Sequence, residues 1–154
     1  MDFMSGRKCM EQLPKRRSSL RLEGFDYSSE GCYFVTINCR ENKKYFAKNR
    51  IGDIIKNNIE KLNGAFSLTI GECAIMENHL HLMITIKNGN NTNLSRVIQS
   101  FKSLIAKEVR EKLGIYDKIW QRGFYDHIIR NEKDYREKMK YIMNNPLNIE
   151  LGRR

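Results

Sequence analysis

Apolar and polar positions along the chain change period several times, and each change marks an element. Residues 32–38 are rich in β-branched and aromatic side chains and predict a first strand. Residues 40–49 form a polar connection carrying Lys43, Lys44 and Lys48. Ile51, Ile54, Ile55, Ile59 and Leu62 then recur at helical spacing until Asn63-Gly64 interrupts them. Residues 66–76 predict a second strand with Gly71 as a bulge position. Glu77-Asn78 is a turn, so a third strand at 79–87 pairs antiparallel with the second. Asn93 is placed to cap a long helix with the stripe Leu94, Val97, Ile98, Phe101, Leu104, Ile105, Val109 and Leu113, closed by Gly114. Residues 119–130 predict a fourth strand bent at Gly123. Asn131 then caps a third helix that runs to Asn145, where Pro146 stops it.

The order β-α-β-β-α-β followed by a helix is that of an α+β protein of ferredoxin-like, split βαβ type. It predicts a four-stranded antiparallel sheet with an additional C-terminal helix. Right-handed crossovers put the first two helices on one face of that sheet. One domain is expected over 27–154, preceded by a basic arm at 1–26 that carries Arg7, Lys8, Lys15, Arg16, Arg17 and Arg21.

Within the third strand, His79 and His81 point to the same face, and Leu80, Leu82, Ile84 and Ile86 point to the other. The apolar face must meet the first two helices. The histidines then face the third helix alone. On that helix Tyr135, Met139 and Ile142 fall within roughly 60° of one another and form its buried stripe. Tyr141 lies about 120° off the stripe's centre, and Asn145 shares its face one turn on. A divalent ion on His79, His81 and the Asn145 side-chain oxygen would polarise a phosphoryl oxygen. A mixed nitrogen and oxygen ligand set suits Mn²⁺ or Mg²⁺ and is less decisive against Zn²⁺. Tyr141 is then placed as a nucleophile that takes the phosphate as a phosphotyrosine. The ester conserves the bond energy, so no nucleotide cofactor is needed, and the chain has no GxxxxGK[ST] loop.

Composition narrows the partners. The chain of 154 residues carries a formal charge of +10, which favours polyanions, nucleic acid foremost. No apolar run approaches the ~20 residues of a membrane span, and the N-terminus lacks a signal-peptide core, so a cytoplasmic protein acting on nucleoid DNA is expected. Cys9, Cys32, Cys39 and Cys73 show no CxxC spacing and read as ordinary core or surface thiols.

Four blocks, in order, resemble the single-tyrosine transposases of the insertion-sequence 200-like superfamily, and within them the REP-associated branch. They are Arg17 to Thr36, Met76-Glu77-Asn78-His79-Leu80-His81-Leu82, Trp120 to Glu132, and Tyr141-Ile142-Met143-Asn144-Asn145-Pro146. The resemblance runs from about residue 15 to residue 152. It implies an HUH-type enzyme that nicks and rejoins single-stranded DNA beside imperfect hairpins. In such enzymes the tyrosine is joined to the 5′ phosphate and a 3′ hydroxyl is freed. Carried over, His79 and His81 are metal ligands and Tyr141 is the nucleophile. Asn145 stands where related enzymes use glutamine. Glu77 replaces a usual proline, and Leu147 and Asn148 replace a valine and a basic residue. Related enzymes exchange helices in homodimers, whereas REP-associated members can act as monomers, so the resemblance leaves both a homodimer and a monomer open.

His127 has two readings. It approaches the metal or the scissile phosphate, or it bonds a neighbour such as Asp126 or the backbone and positions the third helix; the supporting role is favoured. Tyr125 is the best candidate to stack on an unpaired base. Trp120 reads as core. Arg122 and Arg130, with Arg16 and Arg17 of the arm, are placed to meet phosphates. The competing function is a non-catalytic ferredoxin-like nucleic-acid-binding module, which has no need of His79, His81 and Tyr141 together. A metal-free phosphoesterase with two His-x-Thr/Ser motifs is discounted, because neither histidine of the pair is followed by x-Thr/Ser.

Overall fold

The structure is a computed structural model that describes residues 31–47, 49–63, 68–87 and 93–144. The elements are β1 (Gly31–Asn38), α1 (Asn49–Leu62), β2 (Leu68–Ile75), β3 (His79–Ile86), α2 (Leu94–Leu113), β4 (Tyr125–Ile128) and α3 (Glu132–Met143). The sheet order is β2-β3-β1-β4, with every pairing antiparallel. This is the expected α+β arrangement. The register of β2 against β3 shifts between Ile70 and Cys73, at the expected bulge.

The two faces of β3 separate as its alternation demands. Leu80, Leu82, Ile84 and Ile86 are buried with Ile51, Ile55 and Ile59 of α1 and Val97, Phe101 and Ile105 of α2. On the other face Met83 joins Cys32, Phe34, Ala74, Ile129 and Ile142, with Tyr135 and Met139 packed against them. The stripe Tyr135, Met139 and Ile142 is therefore the side of α3 that meets the sheet. Burying Ile142 alone stabilises this contact by about 2 kcal/mol.

The caps of α2 follow the sequence. Asn93 Oδ1 accepts from the Ser95 N–H at 2.8 Å, and Gly114 closes the helix with φ 66°, where a side chain would be strained. Leu104 departs from the expected stripe and is half exposed. It lies about 90° from the stripe's centre, at its margin. The connection at 40–49 is also not wholly polar in its role. Tyr45 and Phe46 are buried in the core, inside a 3-10 turn over Tyr45–Ala47.

The fourth strand is shorter than the expected 119–130. Its first half makes one isolated bridge, Cys39 with Trp120, and the ladder proper begins at Tyr125. The cause is local. Gly123 takes φ 76°, and Lys102 Nζ donates to the carbonyls of Gln121 at 2.8 Å and Gly123 at 2.9 Å. Trp120 packs against the core while its Nε1–H donates to the Lys102 carbonyl at 2.9 Å. The third helix ends at Met143, two residues before the expected Asn145.

Cys32, Cys39 and Cys73 are buried and unbridged. Burial pushes the thiols of Cys39 and Cys73 up to about 12, so they pack as inert apolar groups. Among the described residues no helix is long and apolar enough to cross a membrane. The basic arm, with Arg16 and Arg17, lies outside the described residues, as does Asn145.

Candidate active site

The β1–β3 register sets His79 opposite Asn38 and His81 opposite Thr36. Thr36 Oγ1 lies 2.9 Å from His81 Nδ1, which ties that ring to the neighbouring strand. His79 Nδ1 lies 2.7 Å from Asn78 Oδ1. An amide oxygen only accepts, so the His79 hydrogen sits on Nδ1 and its Nε2 lone pair is free. The two imidazoles are 4.9 Å apart, centroid to centroid, at 77°. Phe34 stacks on His81 at 5.0 Å and holds the ring's other side.

These rings are kept neutral. Burial, and then the proximity of His79, pushes His81 down to about 4. Burial lowers His79 as well. A neutral imidazole is the form that binds a metal. His81 Nε2 is buried without a hydrogen-bond partner among the described residues, while its Nδ1 is held by Thr36. A buried nitrogen left open in this way, with the opposite ring nitrogen fixed, is what a metal-ligating histidine needs. The pair therefore fits a divalent ion. Among the described residues no three His, Cys, Asp or Glu side chains gather to hold one. The remaining expected ligand, Asn145, lies outside the described residues.

Tyr141 comes to this pair from the last turn of α3. Its ring lies 5.2 Å from His81 at 77° and 6.1 Å from Phe34 at 86°. It is 54 % exposed although its neighbour Ile142 is fully buried. Successive helical positions turn by about 100°, so anchoring Ile142 in the core leaves Tyr141 on the rim, where a substrate can reach the phenol.

The other end of α3 is fixed by a residue that sequence reasoning missed. Asn131 Oδ1 accepts from the Asp134 N–H at 2.9 Å, as a cap should. The Asp134 carboxylate accepts the Arg130 N–H at 3.0 Å and meets His127 Nε2 at 2.8 and 2.9 Å. His127 thus bonds α3 itself, and its partner is Asp134, not Asp126. The signal was the cap spacing Asn131-x-x-Asp134. Lys138 was missed too. Its ammonium lies 5.6 Å from the centre of the Phe34 ring that also touches His81 and Tyr141. Its position three residues before Tyr141 was the available signal. Tyr125, Arg122 and Arg130 are exposed.

Comparison with known proteins places these features. The model of the family described as Transposase IS200 like matches residues 28–145. An uncharacterised protein of Haemophilus influenzae is 32 % identical over 160 residues, covering 85 % of this chain and 88 % of that protein. A REP-associated tyrosine transposase of Escherichia coli K12 is 28 % identical over 121 residues, covering 79 % of this chain and 69 % of its own length. The solved structure of a REP-associated tyrosine transposase bound to a REP hairpin matches with a TM-score of 0.65 at 27 % identity. That match covers 78 % of this chain and 68 % of the other. With the family match spanning most of the chain, it belongs to the IS200-like transposase family: it is a DNA transposase, similar to the REP-associated tyrosine transposases.

Proposed function

We propose that the protein is a metal-dependent single-strand DNA endonuclease and strand transferase, acting beside hairpin DNA through a 5′-phosphotyrosine. The observation that carries this reading is the approach of Tyr141 to His81 within one chain, 5.2 Å between ring centroids. The phenol oxygen attacks the scissile phosphorus, the Tyr141 O–P bond forms and the P–O3′ bond breaks. The leaving 3′ oxygen takes up a proton and becomes a hydroxyl, and the phenol's proton passes to solvent. Rejoining is the reverse: a 3′ hydroxyl attacks the phosphotyrosine and Tyr141 leaves as the phenol. No nucleotide cofactor enters, because the ester stores the bond energy.

His79, His81 and the Asn145 side-chain oxygen would hold Mg²⁺ or Mn²⁺, which would supply charge stabilisation at the phosphoryl oxygen. Thr36 and Asn78 orient the two imidazoles, and Phe34 stacks against His81. Lys138 brings a positive charge to the same ring and favours a phosphate there. The relative bound to a REP hairpin supports hairpin DNA as the partner, as does the charge of +10. Both rings come from one chain, so this reading needs no helix exchange in a homodimer to bring Tyr141 to His81. Action on nucleoid DNA is consistent with a cytoplasmic location.

The test is incubation of a labelled, hairpin-bearing single strand with the wild type, with Tyr141→Phe, and with the wild type in EDTA. An SDS-resistant adduct is expected from the metal-loaded wild type alone. Binding without any adduct, across many hairpin sequences, would instead support the non-catalytic nucleic-acid module.

A further inference from the structure

We infer that the part of the sheet left uncovered by α3, with Tyr125 at its edge, is a stacking platform for the unpaired base beside the scissile phosphate. This rests on the nicking reading above and names how the substrate strand is held. Thr36 faces the histidines, because its hydroxyl meets His81 Nδ1. Tyr125 pairs with Thr36 from the opposite side, so Tyr125, Thr36 and His81 form one row across β4, β1 and β3. Adjacent strands lie about 4.8 Å apart, which puts the backbones of Tyr125 and His81 about 10 Å from each other.

The side chain of Tyr125 shares the face of His127, two residues on, and His127 reaches Asp134 of α3. α3 begins at the level of His127 and leads across Phe34 towards Ala74. It covers that part of the sheet and leaves Tyr125 44 % exposed. Among the described residues, a strand whose phosphate is held at Tyr141 and His81 can therefore run along this face through the half-buried Thr36 to Tyr125. Past the end of β1 lies a polar hollow of about 370 Å³ lined by Arg40, Glu41, Lys43, Tyr45, Asp117 and Lys118. Arg40 and Lys43 pair with the exposed Glu41 at 3.6 and 3.7 Å, a solvent-screened contact that a phosphate can displace.

This chemistry selects an unpaired nucleotide. An exposed phenol ring offers a π-face on which any base stacks, with little preference for its identity. A duplex keeps its bases stacked on one another, so the platform favours a single strand at the cleavage point. Tyr125 would hold the strand and leave the choice of sequence to other contacts.

The experiment measures affinity by fluorescence anisotropy for a hairpin-bearing single strand, with abasic sites introduced one at a time on either side of the cleaved bond. The proteins are the wild type, Tyr125→Ala, Tyr125→Leu and Tyr125→Trp. The wild type should lose on the order of ten-fold in affinity at one flanking abasic position. Tyr125→Ala and Tyr125→Leu should lose a similar factor on the intact strand and be indifferent to that position, and Tyr125→Trp should bind like the wild type. Wild-type affinity in both the Ala and Leu variants overturns the platform, as does a loss that adds fully to every abasic position. Adduct formation by the wild type, measured on the same strands, judges the nicking reading separately. A wild type that forms adducts while Tyr125 proves irrelevant to affinity removes only the platform.

Discussion

Tyr141 stands edge-on to His81, with ring centroids 5.2 Å apart and planes at 77°. The histidine is fixed by a strand ladder in the middle of the sheet. The tyrosine sits at the far end of a helix whose other end is tied to the edge strand by His127 and Asp134. The position of the phenol thus depends on a contact two helical turns away.

Asp134→Ala should show this dependence. It removes the acceptor for both His127 and the Arg130 N–H and should destabilise the fold by roughly 1–3 kcal/mol. Adduct yield should fall further than DNA affinity, because the nucleophile is displaced while the DNA-binding surface persists. Melting temperature, anisotropy and adduct yield measured together separate the two effects. Equal losses in affinity and adduct would point to general unfolding.

Lys138→Met should slow nicking on the order of ten-fold, with Lys138→Arg recovering part of the rate. The slope of log affinity against log salt should fall by about one phosphate's worth. An unchanged slope and rate in Lys138→Met would leave the lysine as packing on Phe34 alone.

In EDTA, stability should depend on pH through His81. The unfolded ring takes its proton near 6.5, whereas the folded one stays neutral down to about 4. The contribution is fully present above 6.5 and is lost as the pH falls from 6.5 to about 4. Its size is on the order of 3 kcal/mol. The melting temperature of the metal-free wild type should drop across that window, and His81→Asn should flatten the drop. Parallel curves for the two proteins would contradict the assignment.

Mn²⁺ at about 100 times its dissociation constant should raise the wild type's stability by roughly 2.7 kcal/mol. His79→Ala and His81→Ala should lose that gain, and Tyr141→Phe should keep it. A gain retained in both histidine variants would place the ion elsewhere.

Much of this was legible because strand alternation and helix angle are rigid rules. Period two sorted His79 and His81 from Leu80 and Leu82, and topology then assigned the faces. The 100° step alone separates Tyr141 from Ile142. The truncated start of β4 was not legible, because it follows from Lys102 donating to two carbonyls on a different element. Asp134 and Lys138 escaped for the same reason. Each looks like an ordinary surface charge on α3, and only the approach of β4 and β1 gives it a partner. Leu104 shows the converse: an apolar residue at the edge of a stripe that the sheet does not reach.

The most direct measurement is the identity of the residue that carries the DNA. The wild type is incubated with Mn²⁺ and a hairpin-bearing single strand, digested with nuclease and protease, and analysed by mass spectrometry. A nucleotide joined through its 5′ phosphate to the peptide containing Tyr141, with a free 3′ hydroxyl on the released strand, is the predicted result. An adduct on Tyr125, Tyr135 or any other residue, or one that persists in Tyr141→Phe, would contradict it.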